Sequence, residues 1–283
     1  MTEFVTALQQ QAFLQYALLT GILAGIACGV IGTYVVTRRI TYIAGGIAHS
    51  VLAGLGAARY CQTVFGWEWL NPLYGAVVAA LVAALVIGFV SLWSAKERED
   101  TVIGAVWAIG MAIGILFIFK TPGYNEDLTS YLFGNILMVS SDDLWLIVGL
   151  DALVVVMGVL FYNQLLAVCF DEEFARLRGV HVEFYYLLLL CLTALTVVLL
   201  VTVVGIVMVI ALLTLPVAVA GHFAKKLWQM MALSAILTIL LNSLGLFLSY
   251  GPDLPAGATT IVLAGAVYLT VIFGSRFIRL KRA

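Results

Sequence analysis

Charged side chains are scarce in this sequence of 283 residues, since only 10% of them are Asp, Glu, Lys or Arg. Soluble domains are about a quarter charged and roughly half apolar, whereas 64% of this chain is hydrophobic and its mean hydropathy is +1.12. Such a chain has too few polar groups to cover a water-facing surface, so we expect it to use lipid as its solvent. The formal net charge of −1 favours neither nucleic acid nor an acidic lipid surface as a partner.

Residues and motifs for covalent or metal chemistry are also few. The four cysteines, at 28, 61, 169 and 191, have no CxxC spacing, which argues against a disulfide framework or a zinc knuckle. There are three histidines, and neither G-x-x-x-x-G-K-[ST] nor H-E-x-x-H occurs. We therefore expect no enzyme activity and no ATP hydrolysis by this chain alone. The N-terminus lacks the basic segment of a cleaved signal peptide, so the first apolar segment is expected to remain in the mature protein.

Long apolar runs dominate what the sequence does contain. These runs are continuous rather than alternating, which argues against a barrel of β-strands and favours helices that satisfy their backbone groups within lipid. A spanning helix needs about 20 apolar residues. We predict an all-α polytopic protein with one transmembrane domain over residues 1–283 and nine spans. They are 13–36, 40–60, 72–94, 102–119, 144–166, 184–203, 205–221, 228–249 and 258–277. The boundary between the sixth and seventh spans falls at Val204-Gly205.

The basic residues predict the orientation of these spans. With the N-terminus outside and the C-terminus inside, every one of the 14 Lys and Arg residues except Arg59 and Lys120 falls in a cytoplasmic stretch. The outer side then carries acidic residues, among them Glu126, Asp127 and Asp253. An acidic outer mouth would attract cations, although hydrophilic outer loops without that function would look the same.

Two ionisable residues lie inside predicted spans. His49 comes ten residues after Arg39, which places it about 15 Å deep in a helix with a rise of 1.5 Å per residue. An ionisable side chain at that depth is costly and indicates a functional site, and imidazole binds zinc, manganese and iron. Asp151 lies at a similar depth in the fifth span. Each residue has a plainer alternative, as a hydrogen-bonding contact between helices.

Glycines and polar segments predict two further features. Gly21, Gly25 and Gly29 form a groove on the first span that suits close packing against another helix. The segment 121–142 is too polar at its ends to span, and its middle is predicted to lie at the outer face or to dip into it.

The segment DEEFARLRGV, residues 171–180, holds five charged side chains in an otherwise apolar chain. It predicts a short cytoplasmic helix with acids in its first turn, bases in its last turn and a glycine stop. The residues concerned are Asp171, Glu172, Glu173, Arg176, Arg178 and Gly179. A helix with both ends capped does not need membrane packing, and we expect it to contact a soluble protein.

Four segments together resemble the permease subunits of zinc, manganese and iron ABC importers. The segment 171–180, with the run TVVGIVMVIALLTLPVAVAG after it, is similar to the coupling helix that docks on the ATPase in that family. GGIAHSVLAGLG is similar to the family's G-D-x-x-[SA]-H-x-x-L-x-G, LTSYLFGNIL to its S-Y-L-F-G segment, and LSYGPDLPAGATTIVLAG to its D-x-P-x-G-x-x-I-V-L ending. These matches lie between residue 38 and residue 265.

The resemblance implies how the chain works. It implies a homodimer in a bacterial plasma membrane, two cytosolic ATPase subunits that bind the ATP, and an extracytoplasmic metal-binding protein that delivers Zn²⁺, Mn²⁺ or Fe²⁺. It also makes His49 the counterpart of the family's intramembrane metal ligand. We expect no tightly bound cofactor, and the acidic residues at the outer mouth are predicted to include Glu126 and Asp253.

The chain departs from the family at Gly45, where the family has an aspartate one helical turn before the histidine. Asp151 or Asp127 is a candidate replacement for that carboxylate. Without it, a less charged site favours zinc. The alternatives are an ABC permease for vitamin B12 or an iron siderophore, which needs a wider path, an ATP-independent secondary transporter or channel, and an intramembrane enzyme, for which no paired catalytic motif is present.

Overall fold

The fold was analysed in a computed structural model, which describes residue 8 and residues 10–93, 99–122, 141–206, 209–252 and 254–280. Within those ranges the elements are helices joined by short turns and loops, and there is no strand. The predicted all-α polytopic class is therefore confirmed. The helices are α1 (Ala12–Arg38), α2 (Thr41–Phe65), α3 (Pro72–Trp93), α4 (Glu99–Lys120), α5 (Ser141–Leu160), α6 (Tyr162–Phe170), α7 (Glu172–Leu177), α8 (Val182–Val204), α9 (Val209–Phe223), α10 (Leu227–Tyr250) and α11 (Ala256–Leu280).

The predicted spans correspond to these helices with two differences. Seven of the described helices are long and apolar enough to cross a membrane, or eight if α5 and α6 form one bent span. The fifth span is not one straight helix as predicted, because the chain bends by 71° between α5 and α6. The seventh, α9, has only 15 residues, about 22 Å at 1.5 Å per residue, which is short for a hydrocarbon core. The count of nine and the orientation stay predictions.

The division between the sixth and seventh spans is confirmed. Helix α8 ends at Val204, and Gly205 follows with φ 80°, a backbone conformation that glycine adopts without strain. Helix α8 therefore ends next to a glycine within an apolar run that is too long for a single span.

Helix α1 lies at the centre of the bundle and packs closely on α10. A Cβ added at Gly29 would come within 2.6 Å of the backbone of Ala235, and one at Gly25 within 2.7 Å of Ile239. Asn242 donates a hydrogen bond to the Gly21 carbonyl at 2.9 Å. The glycine groove predicted on the first span is thus confirmed, and its partner is a helix of the same chain. Helix α1 also contacts α5, α8 and α9.

Helix α2 is packed in the same way between α3 and α4. Gly54 and Gly75 approach each other so closely that a Cβ on either would lie within 2.2 Å of the other's carbonyl oxygen. Gly114 of α4 meets the backbone of Leu52. Close backbone approach across small residues is how helices associate in lipid, and here it fixes the rotation of α2 and hence the direction of its polar side chains.

Candidate functional site

His49 lies two turns into α2 and faces α4. Its imidazole stacks on the indole of Trp107, with ring centroids 4.2 Å apart and an interplanar angle of 12°. The residue is half-buried, and its Nδ1 is buried without a hydrogen-bond partner among the residues that the structure describes. This nitrogen therefore makes no hydrogen-bonding contact to another described helix. An aromatic wall on one side and an uncommitted nitrogen suit an imidazole that accepts a transient ligand.

Gly45, one turn before His49, is buried against α9. A Cβ at Gly45 would lie 2.7 Å from Cδ1 and 3.3 Å from Cγ1 of Ile210. The space that a carboxylate would need is therefore occupied by an isoleucine side chain. The departure from the family's motif is thus matched by an apolar contact and not by an empty pocket.

Ser50, the residue after His49, ties α2 to α4. Its hydroxyl lies within hydrogen-bonding distance of two carbonyl oxygens, that of Gly46 at 2.8 Å and that of Val106 at 3.1 Å. The hydroxyl proton is engaged in holding α2 against α4. The described neighbour of the His49 imidazole is therefore an aromatic ring, that of Trp107.

Asp151 lies on a different side of the bundle. It is buried in α5, at 6% exposure, beside the backbone of Ala27 in α1, and its Oδ1 has no hydrogen-bond partner in the described part of the chain. Helix α5 packs on α1 and α8, whereas His49 faces α4. Within the described ranges no group of three or more His, Cys, Asp or Glu side chains comes together. A shared site for Asp151 and His49 stays a prediction.

The outer acidic residues cannot be placed. Glu126, Asp127 and Asp253 all lie outside the described residues, as does most of the segment 121–142. Their roles at an outer mouth or in metal transit, and the alternative placements of that segment, stay predictions.

The short polar helix predicted at residues 171–180 is present as α7. Asp171 is its N-cap, and its carboxylate accepts a hydrogen bond from the backbone N–H of Phe174 at 3.0 Å. Gly179 has φ 77°. The backbone N–H groups of Gly179 and Val180 donate to the carbonyls of Arg176 and Ala175, at 2.9 and 3.0 Å, which is a Schellman motif. Both ends of α7 are therefore satisfied without help from the membrane.

Ion pairs tie α7 to its neighbours. Glu172 pairs with Arg38 at the end of α1, and Arg176 pairs with Glu183 of α8 at 2.7 Å. Sequence reasoning missed the first pair because Arg38 is 134 positions away from Glu172. It likewise missed Trp107 and Ile210 as neighbours of the His49 region, and no local signal in the sequence marks either of them.

The outer surface of α7 is more apolar than its sequence suggests. Leu177 is 86% exposed and Phe174 is 49% exposed, and Arg178 lies over the Phe174 ring at 4.8 Å. Ala175 points inward and is fully buried. Exposed apolar side chains framed by charges are typical of a protein–protein contact.

Comparisons with known proteins agree with this picture. The model of the ABC 3 transport family matches residues 10–275. A probable metal transport system membrane protein of Chlamydia trachomatis serovar D is 42% identical over 89% of this chain and 85% of its own length. A manganese import system permease protein, ScaB, of Streptococcus parasanguinis is 35% identical over 96% and 94%. Among solved structures, PsaBC from Streptococcus pneumoniae in complex with Fab matches with a TM-score of 0.86 and 32% identity, covering 99% of both chains.

Proposed function

The chain belongs to the ABC 3 transport family, as the permease subunit of a metal ABC importer, and we propose that its cargo is a divalent transition-metal ion that passes His49 on its way to the cytoplasm. The observation that supports this proposal is the free Nδ1 of an imidazole held by Trp107 within a bundle of apolar helices. Neutral imidazole nitrogen is a ligand for this class of metals.

The site is proposed to form between two copies of the chain. A metal ion such as zinc takes about four ligands in a closed site and three in an open one, whereas the described residues of one chain offer His49 without a second ligand nearby. A homodimer would bring two copies of His49 to one path. A site with few ligands binds its ion weakly, which suits transit because the ion must also leave.

Other proteins are proposed to supply the energy for transport and to deliver the metal ion. We propose that two separate ATPase subunits hydrolyse ATP and dock on α7, whose exposed Leu177 and Phe174 supply apolar contact. An extracytoplasmic metal-binding protein is proposed to deliver the ion from the opposite side.

Zinc is the proposed preferred cargo, with manganese as the second candidate. The surroundings of His49 lack a carboxylate at Gly45 and contain Ile210 instead, and nitrogen ligands without oxygens suit zinc better than manganese. Manganese is supported by the names of relatives such as ScaB. Initial uptake rates of Zn²⁺, Mn²⁺ and Fe²⁺ into vesicles holding the whole complex would decide among them, with chelated iron and vitamin B12 as tests of the alternative cargo class.

Replacing His49 by alanine tests the transit role. We expect His49→Ala to lower metal uptake about tenfold or more, the effect typical of losing a metal-site group, while ATP hydrolysis by the assembled complex continues. His222→Ala is the matched control, because that histidine is exposed at the end of α9 and its Nδ1 bonds to the Ala218 carbonyl at 2.9 Å. Normal uptake by His49→Ala would contradict the proposal.

A further inference from the structure

The C-terminal end of α1 meets α7 at an ion pair. Arg38 is the last residue of α1, and Glu172 is the first residue of α7. Both side chains are partly buried, at 27% and 36% exposure, so water screens the pair less than it screens a fully exposed one. The pair thus connects the helix proposed to contact the ATPase directly to a central helix of the bundle.

Arg38 is held from more than one direction. Its guanidinium lies over the ring of Tyr186 in α8, 5.7 Å from the centroid. One turn earlier, the carbonyl of Tyr34 faces the thiol of Cys169 in α6 at 3.9 Å. A cation at the last turn of α1 also interacts favourably with the negative end of the helix dipole. The end of α1 is therefore fixed against α6, α7 and α8 together.

The corner after Arg38 leads straight to α2. Arg39 has φ 64°, a left-handed conformation that is uncommon for a residue other than glycine. The N–H groups of Arg39 and Ile40 donate to the carbonyls of Val36 and Val35, at 3.2 and 3.0 Å. These bonds close a tight turn, and α2 begins at Thr41. His49 lies two turns further, about 12 Å along the helix at 1.5 Å per residue.

We propose that Arg38 is the positioning residue that transmits movement of α7 to the corner between α1 and α2, and so to His49. This inference rests on the proposed function. The second pair, Arg176 with Glu183, joins α7 only to the start of α8 and is more exposed, at 55% and 48%. Exposed pairs hold their partners weakly. Arg38–Glu172 is the pair that leads towards the metal path.

The test uses the complete complex of permease, ATPase and binding protein in vesicles. Mn²⁺ and Zn²⁺ uptake and ATP hydrolysis are measured for Arg38→Gln, Glu172→Gln, and the charge exchange Arg38→Glu with Glu172→Arg. We expect each single variant to keep its ATPase activity and to move about tenfold less metal per ATP, within the usual range of coupling between sites. The exchanged pair should recover most of the ratio.

Arg39→Gln is the matched control. It removes the same charge from the neighbouring position, but Arg39 is exposed and makes no ion pair with any residue that the structure describes. Its metal-to-ATP ratio should equal that of the wild type. A normal ratio in Arg38→Gln, a parallel loss of uptake and hydrolysis, or an exchanged pair no better than the single variants would overturn the proposal.

A distance measurement separates this inference from the proposed function. Spin labels at Tyr42→Cys, in the first turn of α2, and at Glu173→Cys, on the exposed side of α7, report whether the two elements move together. Serines replace the half-buried Cys61 and Cys191 in this variant. With Arg38 present the distance should stay constant when ATP is added, and with Arg38→Gln it should change. A distance that changes in the presence of Arg38, or that stays constant in Arg38→Gln as well, would overturn the link even if metal transport is normal. A distance that is constant with Arg38 and changes in Arg38→Gln would support it even if no metal is carried.

Discussion

At the scale of single residues, Gly45 determines which other side chains can bind a metal ion together with His49. Ile210 occupies the place next to it, so an aspartate could enter only if that side chain moved. The atoms in the way are the outer ones of a flexible side chain, which can rotate. This side of the site is therefore apolar because of two residues, Gly45 on α2 and Ile210 on α9. Changing both residues would alter it.

The variant Gly45→Asp with Ile210→Ala restores a carboxylate and makes room for it. We expect the ratio of Mn²⁺ to Zn²⁺ uptake to rise by about tenfold, because oxygen ligands favour manganese and changes around a metal site commonly alter affinity by 10- to 100-fold. Initial uptake rates of both ions in vesicles measure this ratio. Ile210→Ala alone is the control, and an equal shift in the control would show that the carboxylate is not the cause.

Only part of the candidate site could be predicted from the sequence. His49 could be found because an ionisable side chain in an apolar run is conspicuous wherever the helix packs. Trp107 and Ile210 could not be found, because their proximity to α2 depends on the rotation and depth at which α4 and α9 pack. Those are set by close contacts such as Gly110 against Ser50, which a single sequence does not reveal.

At the scale of elements, the contact between α1 and α10 depends on where each glycine faces. A Cβ at Gly29 would collide with the backbone of Ala235, which cannot move aside, whereas one at Gly21 would make ordinary contact with Asn242 at 3.5 Å. Two glycines of one groove thus differ in how strongly the packing requires them.

Gly29→Ala should therefore destabilise the protein, and Gly21→Ala should not. Overpacking typically costs about 1–3 kcal/mol, while alanine itself favours a helix over glycine. Thermal unfolding of the purified variants in one detergent measures the difference. Equal unfolding temperatures for the two variants would contradict the observed packing of α1 on α10.

The elements differ in how well the sequence predicts them. Helix α7 was predictable because its caps are local, with Asp171 and Gly179 lying within its own segment. The bend between α5 and α6 was not, because the contact that accompanies it comes from a helix far away in the sequence. At the bend, the Tyr34 hydroxyl donates a hydrogen bond to the Gly158 carbonyl at 2.9 Å. In a continuous helix, that carbonyl would accept from the backbone N–H of Tyr162. Tyr34 belongs to α1 and lies 124 positions away from Gly158.

At the scale of the whole molecule, one apolar core runs through the bundle from α1 to α10. Helix α8 lies between two groups of helices, since it packs on both α1 and α3. Helix α7 immediately precedes α8 and is paired with α1, so it is connected to both groups. If α7 docks on the ATPase as proposed, it must lie on the cytoplasmic face of the membrane.

Labelling with a membrane-impermeant thiol reagent determines that face. Glu173→Cys, on the exposed side of α7, should react in inverted vesicles and not in intact cells, whereas Trp69→Cys, 72% exposed between α2 and α3, should show the opposite pattern. Both are made with Cys61 and Cys191 replaced by serine; the remaining cysteines are buried. We expect this labelling pattern because Lys and Arg residues are enriched in the cytoplasmic loops of membrane proteins. If Glu173→Cys reacted from outside, α7 could not meet an ATPase that is supplied with cytosolic ATP. The ion pair with Arg38 would then have no source of movement to transmit.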